Sequence, residues 1–161
     1  MTREYFKNLF EMYFEELRRY IFYVGGNAAL ADDIAQQTML KIWEKQINIL
    51  PGKERGLLFK IAKEDFIDHV RKEKLHTDFS QNFNLNTEVQ TPEEELEYKE
   101  LSIRITNALG KLKENQRVVF LLSRKEGMKY HEIAKCLDIS VKAVEKRMNG
   151  ALTILRKDLK R

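Results

Sequence analysis

The chain has 161 residues, which suits one domain or two small ones, and its 43% hydrophobic and 34% charged residues are ordinary for a helical protein. Only two prolines and seven glycines favour long helices over many tight turns. Charged residues Arg3, Glu4 and Lys7 precede any apolar run, and no run approaches the about 18 residues of a membrane span. We therefore predict no signal peptide and no membrane insertion, and a cytoplasmic location.

Charge is distributed unevenly along the chain. The net charge is only +4, but from Lys113 to Arg161 there are 13 Lys and Arg against 6 Asp and Glu. An electropositive C-terminal part is compatible with a polyanionic partner. The single cysteine, Cys136, excludes an intramolecular disulfide and is expected to be a small, partly buried thiol.

The first two predicted helices span about residues 5–24 and 28–47, separated by Gly25-Gly26 and capped by Asn27. The second carries polar residues at i, i+3, i+4, i+8 and i+11, which are Asp33, Gln36, Gln37, Lys41 and Glu44. This stripe is either a solvated face or, because the glutamines lie beside Trp43, a surface that docks on a partner.

A third helix is predicted over about 56–74, after a loop over 48–55. It interleaves basic residues with Phe59, Phe66 and His69. That pattern suits single-stranded nucleic acid, because cations follow phosphates while rings stack on bases, but both phenylalanines could equally belong to the core. The same helix spaces Glu64, Asp65, Asp68 and His69 at i, i+4.

Those four residues are the only candidates for a metal site, and a metal-dependent helical hydrolase is the enzyme alternative. Such a site normally needs two His ligands or a further carboxylate. No phosphate-binding glycine loop and no catalytic Ser/His or Cys/His pattern occurs. We therefore predict no catalytic residue, no metal and no cofactor.

Residues 76–91 are polar and are predicted to form a flexible linker. Thr91-Pro92 followed by three glutamates is typical of a helix N-terminus, and this helix is expected to reach about Gly110. Another helix is expected over about 113–125. No fixed relation is expected between the helices on either side of the linker.

The stretch from Lys129 to Leu159 has the pattern of a helix-turn-helix. A short helix over 130–137 is followed by Asp138, which tolerates the left-handed conformation, and by Ser140, which can cap the next helix. In this motif the second helix lies in the major groove of DNA. An ordinary helical hairpin with a solvated basic face is the alternative.

Two separated stretches match one family in order and spacing. Residues Asp32–Trp43 resemble region 2 of the sigma-70 family of RNA polymerase sigma factors, whereas Leu112–Phe120, Glu126–Ala134 and Ile139–Arg147 resemble region 4. With these two regions and a short linker, the chain is similar to the extracytoplasmic function (ECF) group. A DNA-binding response regulator or repressor would match the second part only.

The resemblance implies an all-α protein of two small helical modules. These are a region 2-like domain at 1–75, a linker at 76–91 and a region 4-like helix-turn-helix domain at 92–161. It implies a non-enzymatic transcription initiation factor. Its partners would be core RNA polymerase (the β′ clamp helices and the β flap), promoter DNA and an anti-sigma factor.

The resemblance also implies three sets of site residues. Core polymerase would contact Asp33, Gln36, Gln37, Leu40 and Trp43. The −10 element would contact Lys60, Lys63, Glu64, Arg71 and Lys72. The −35 element would contact Ser140, Val141, Lys142, Ala143, Lys146 and Arg147.

This sequence departs from the family pattern at a few of these positions. Gln37 stands where an acidic residue is frequent, Glu64 where an asparagine is frequent, and Gly150 where a basic residue is common. A carboxylate at Glu64 would be repelled by DNA unless it accepts a hydrogen bond from a cytosine amine. The preferred −10 sequence is therefore expected to differ from the usual one.

Overall fold

The computed structural model describes residues 1–73 and 92–160, which form seven α-helices and no β-strand within those ranges. The helices are α1 (Arg3–Gly25), α2 (Ala28–Glu44), α3 (Glu54–Glu73), α4 (Pro92–Lys111), α5 (Glu114–Arg124), α6 (Tyr130–Leu137) and α7 (Val141–Leu159). The predicted linker at 76–91 lies outside the described residues. Across the described ranges, every helix is too short or too polar to span a bilayer.

The helix ends are set by the capping residues that the sequence predicts. The side chain of Asn27 accepts a hydrogen bond from the Leu30 amide at 2.9 Å, and Ser140 accepts one from the Ala143 amide at 3.0 Å. Asp138 adopts the left-handed conformation with φ 53° and ends α6. The predicted turn between α6 and α7 is therefore confirmed.

Three predicted helix boundaries were wrong. Helix α1 begins at Arg3 rather than near residue 5, because Thr2 caps it by accepting a hydrogen bond from the Tyr5 amide. Helix α2 ends at Glu44 rather than near residue 47, because Gln46 turns to a positive φ of 47° and the Ile47 amide bonds back to the Ile42 carbonyl. Helix α3 begins at Glu54 rather than Gly56, so it takes in the last residues of the predicted loop. None of these three helix ends can be predicted from the spacing of apolar residues.

Helices α1, α2 and α3 form a bundle around an apolar core that includes Leu17, Ile34 and Leu58. Both phenylalanines of α3 belong to this core. Phe59 is 1% exposed and stacks on Tyr20 with a 4.1 Å centroid separation, and Phe66 is 7% exposed. The interpretation in which these rings stack on bases is therefore wrong, because burial against α1 takes both faces away from any ligand.

Helices α5, α6 and α7 form the second bundle, and α4 packs along α7. Its core includes Val119, Leu122, Ile133, Val144 and Met148, all at most 1% exposed. These positions follow the 3.6-residue stripes of their helices, so each helix buries one face and leaves the other to solvent.

The two bundles pack directly against each other, with α1 in contact with α5 and α3 in contact with α6. The expectation that they hold no fixed relation does not describe this structure. It rested on the polar character of residues 76–91, which carries no information about the surfaces on either side. The contact includes a few polar groups whose hydrogen bonds between the bundles are described below.

Candidate functional site

The outer face of α2 carries the residues predicted to dock on polymerase. Asp33, Gln36, Gln37 and Leu40 are all exposed, while Ile34, Ala35, Met39 and Ile42 on the opposite side are buried. Leu40 is 54% exposed, although it lies in the middle of α2. An exposed leucine among amides and a carboxylate is suited to a protein partner that covers it.

Trp43 has a supporting position rather than a central one on this face. It is half-buried, and its ring centroid lies 5.0 Å from that of Phe6 in α1. Lys41, the fourth member of the predicted polar stripe, is an ion-pair partner of Asp65 in α3. The face of α2 that is available to a partner is therefore narrower than the predicted polar stripe, because the ammonium group of Lys41 is paired with a residue of α3.

The same ion pair bears on the metal-site alternative. Asp65 is engaged by Lys41, and within residues 1–73 and 92–160 no group of three or more His, Cys, Asp or Glu side chains is placed to hold a metal ion. The four residues of that hypothesis thus do not form a ligand set in the described structure.

Helix α3 presents the residues predicted to meet the −10 element. Lys60, Glu64, Arg71 and Lys72 are exposed and Lys63 is half-buried. Ile67, which the sequence reasoning did not single out, lies among them and is 40% exposed. An i, i+4, i+7 pattern from Lys60 through Glu64 to Ile67 could have predicted its placement.

The helix-turn-helix places the beginning of α7 at the surface. Ser140, Val141, Lys142 and Lys146 are exposed, while Ala143 and Arg147 are half-buried. Gly150 faces α5: a Cβ added there would lie 2.5 Å from the Gln116 amide nitrogen. A side chain at this position would need the flexible end of the Gln116 side chain to move.

A cleft of about 950 Å³ brings two of the three predicted sets together. It lies between the bundles and is lined by Lys60, Lys63 and Glu64 of α3 and by Arg147 of α7, among others. The exposed α2 face does not line it. The structure thus separates the predicted polymerase contacts from residues of both predicted DNA contacts.

Four polar residues at the contact between the bundles were missed by the sequence reasoning. They are Arg19 and Tyr23 of α1, Arg117 of α5, and Glu126, which follows α5. The register could have indicated Arg117, because it precedes the buried Leu121 by four residues on one helix face. Burial lowers the pKa of the Arg117 guanidinium, and the nearby Glu114 opposes that shift.

Cys136 is buried at the edge of the cleft and is not a reactive thiol. Burial raises its pKa to about 12, an effect that Arg55 partly offsets. The thiolate, which is the nucleophile, is therefore scarce near neutral pH.

Two family profiles match most of the chain. Residues 9–76 match the description "Sigma-70 region 2" and residues 102–155 match "Sigma-70, region 4". The first covers α2 and α3 with most of α1, and the second covers the helix-turn-helix.

Curated relatives extend over most of this chain and most of their own lengths. The ferric citrate uptake sigma factor FecI of Escherichia coli (strain K12) is 32% identical over 76% of this chain and 72% of its own. The ECF RNA polymerase sigma factor SigM of Bacillus subtilis (strain 168) is 26% identical over 82% and 81%. The ECF sigma factor SigL of Mycobacterium tuberculosis (strain H37Rv) is 27% identical over 92% and 85%.

A solved structure shares the fold over nearly the whole chain. It is the sigma factor RpoE of Bartonella quintana in complex with the anti-sigma factor NepR, with 22% identity, a TM-score of 0.66 and coverage of 96% of both chains. The profiles, the relatives and the all-helical fold agree: the chain belongs to the sigma-70 family of RNA polymerase sigma factors, in its ECF group.

Proposed function

We propose that this chain acts as a transcription initiation factor, which binds core RNA polymerase and directs it to promoters through −10 and −35 elements. The observation that carries this proposal is the separation of surfaces. One exposed face on α2, with Leu40 at its centre, is free for a protein partner, while basic residues on α3 and α7 lie elsewhere. A factor that joins polymerase to DNA needs both kinds of surface at once.

Docking on polymerase is assigned to Asp33, Gln36, Gln37, Leu40 and Trp43, with the β′ clamp helices as the matching surface. Leu40 supplies apolar area, and the amides of Gln36 and Gln37 supply hydrogen bonds around it. This combination of an apolar centre and a polar rim is typical of protein interfaces. The second bundle is assigned to the β flap.

Reading of the −35 element is assigned to the first two turns of α7. Ser140, Val141, Lys142 and Lys146 are exposed there, as a helix entering the major groove requires. Lysines suit phosphate contacts as point charges, whereas the planar guanidinium of Arg147 suits bidentate contact with a guanine edge.

Contact with the −10 element is assigned to the exposed face of α3. Lys60, Arg71 and Lys72 can follow the phosphates of an opened strand. Because Phe59 and Phe66 are buried, any stacking on an unpaired base has to come from other groups. Glu64 is left as a hydrogen-bond acceptor that favours a cytosine amine.

The function proposed here is binding without chemistry, performed in the cytoplasm where polymerase and promoter DNA meet. An anti-sigma factor is the proposed regulator, because the RpoE chain with the same fold was solved with one. A repressor that never touches polymerase is the second candidate, and the exposed Leu40 face speaks against it.

The deciding experiment is run-off transcription from a promoter library with purified core polymerase and this chain. We expect specific transcripts that require both the chain and a shared pair of promoter elements. Co-purification of the chain with core polymerase separates the sigma factor from the repressor. A chain that binds DNA but neither binds core nor supports transcripts would contradict the proposal.

A further inference from the structure

We propose that the contact between α1 and α5 is an intramolecular latch that holds the free chain closed, with residues of both DNA-contacting surfaces turned into one cleft. The latch consists of Arg19, Tyr23, Arg117 and Glu126. The effect of the latch on promoter binding rests on the proposed function, whereas the latch itself does not depend on that function.

The first half of the latch is a charged pair between the bundles. The guanidinium of Arg19 donates to both carboxylate oxygens of Glu126, at 2.8 Å from Nε and 2.9 Å from Nη2. The hydroxyl of Tyr23 donates to the same carboxylate at 2.6 Å. The Glu126 side chain is only 11% exposed, whereas the Arg19 side chain is 42% exposed, so the carboxylate is the shielded partner. Bidentate, charge-assisted pairs of this kind are among the stronger polar contacts.

The second half of the latch completes the end of a helix. The last carbonyls of α1 have no partner within the helix, as at any helix C-terminus. Arg117, which is 7% exposed, donates from Nε to the Tyr23 carbonyl and from Nη2 to the Val24 carbonyl, each at 2.8 Å. A cation at a helix C-terminus also complements the helix dipole. The second bundle thus supplies donors to two carbonyls at the end of α1, in addition to the Gly26 amide that bonds to the Phe22 carbonyl.

Closing the latch engages residues assigned to DNA. Lys63 of α3 forms a 2.9 Å ion pair with Glu114 of α5, and Arg147 of α7 lines the same cleft as Lys60 and Lys63. At about 950 Å³ the cleft has the size of a small-molecule pocket. It cannot admit a duplex whose major groove alone is about 12 Å wide. The closed chain therefore withholds Lys63 and Arg147 from a promoter, although other predicted DNA contacts such as Lys142 and Lys146 stay exposed.

The polymerase-docking face is not affected by the latch. Gln36, Gln37 and Leu40 are exposed in the closed arrangement. The free chain is thus competent to meet polymerase while Lys63 and Arg147, one residue from each DNA-contacting set, are half-buried at the cleft. Separation of the two bundles on polymerase would then make Lys63 and Arg147 available to promoter DNA.

Cys136 provides an internal reporter of this state. It is the only cysteine, is 7% exposed, and packs where α6 meets α3: a Cβ added at Gly56 would lie 3.6 Å from the Cys136 carbonyl oxygen. Arg55 and Glu16, both in the first bundle, act electrostatically on its thiol. Opening of the latch should expose the thiol, and alkylation then reports the open fraction.

The test measures the rate of Cys136 alkylation by iodoacetamide in the full chain without polymerase, followed by mass spectrometry. Arg19→Glu should accelerate alkylation by about tenfold or more, because like charges replace a charge-assisted pair. Arg18→Glu is the matched control: Arg18 is equally exposed at 42% but pairs with Glu15 on its own helix. The double variant Arg19→Glu/Glu126→Arg should restore slow alkylation.

Small-angle scattering gives a second readout on the same samples. A compact chain of 161 residues has a radius of gyration of about 15 Å, and Arg19→Glu should exceed it while Arg18→Glu should not. Circular dichroism should show equal helicity in all variants. Equal alkylation rates for wild type and Arg19→Glu, or acceleration that the double variant does not reverse, would overturn the latch.

A separate measurement addresses the consequence. Binding of the free chain to a promoter fragment should tighten in Arg19→Glu by the factor by which the open fraction rises, and core affinity should change less. A faster alkylation without tighter DNA binding would retain the latch and remove its role in promoter binding. Failure of the proposed function would show separately, as absent transcripts with wild-type chain.

Discussion

The ring of Phe66 in α3 lies against the backbone of Gly25 in α1, so closely that a Cβ added at Gly25 would be 2.4 Å from its Cζ atom. Because Phe66 is 7% exposed and held among core side chains, it has little room to move aside. The contact sets how closely α1 and α3 approach.

We expect Gly25→Ala to lower the free energy of unfolding by about 1–3 kcal/mol, as overpacking of a close-packed core does. Gly56→Ala is the control, because its Cβ would meet atoms no closer than 3.6 Å. That change should be neutral or stabilising by up to about 1 kcal/mol, since alanine favours helix. Urea unfolding followed by circular dichroism measures both. Equal stabilities for the two variants would show that Phe66 yields.

Polymerase docking is tested by the double variant Gln36→Arg/Leu40→Arg. Both side chains are exposed, so helicity should be retained while core binding is abolished, because two cations replace an apolar centre and an amide. Co-purification with core polymerase is the measurement. Leu50→Arg changes a leucine that is 65% exposed outside this face, and it should leave core binding intact. Core affinity retained by the double variant would remove the docking assignment.

Base reading by α7 is tested by comparing Arg147→Ala with Lys146→Ala. Arg147→Ala should cost about 1–3 kcal/mol on the preferred −35 sequence and relax the choice at one position. Selection from a −35 library by reconstituted holoenzyme measures this preference. If the preference of Arg147→Ala is unchanged, Arg147 contacts only the backbone, and base reading moves to Ser140, Lys142 and Ala143.

Lys146 is exposed and is expected to contact phosphate only. Lys146→Ala should weaken all −35 sequences alike and reduce the slope of log affinity against log salt by about one. Titrations of holoenzyme on several −35 sequences across a salt series measure both quantities. A changed sequence preference in this variant would contradict the phosphate assignment.

The contribution of Glu126 to stability should depend on pH. Although burial alone would raise it, hydrogen bonds from Arg19 and Tyr23 hold the pKa of Glu126 below its ordinary value of 4.5. A lowered pKa in the folded state means that the contribution is present above about pH 4.5 and is lost as the pH falls through the folded pKa.

The comparison is between wild type and Glu126→Gln in urea unfolding. At pH 7 the variant should be less stable by about 1–3 kcal/mol, because a charged acceptor is lost. The difference should shrink as the pH falls below 4.5, where the wild-type carboxylate takes up its proton. Glu16 is the other buried carboxylate nearby, and burial raises its pKa, so it destabilises the folded state as the pH rises. Glu16 is present in both proteins, but its effect does not cancel completely, because the charge of Glu126 also raises the pKa of Glu16. A constant difference across the series would contradict the assignment.

Local features of this chain followed from the sequence because they depend on near neighbours. Asn27 and Ser140 cap helices by bonding to amides three residues away, and Asp138 needs only its own left-handed conformation. The exposed face of α2 likewise follows from helical spacing, and the two matched regions indicated the family before any packing was known.

Tertiary structure decided the contacts between residues that are far apart in the sequence. The same pattern of cations and aromatics on α3 is compatible with base stacking or with a core, and only contact with Tyr20 and Gly25 makes Phe59 and Phe66 core residues. Arg117 donates to carbonyls that are 94 and 93 residues away in the sequence, and Glu126 pairs with Arg19, which is 107 residues away. Such contacts depend on how two finished bundles fit together, because burial and charge pairing between them are properties of surfaces that no single helix repeat encodes.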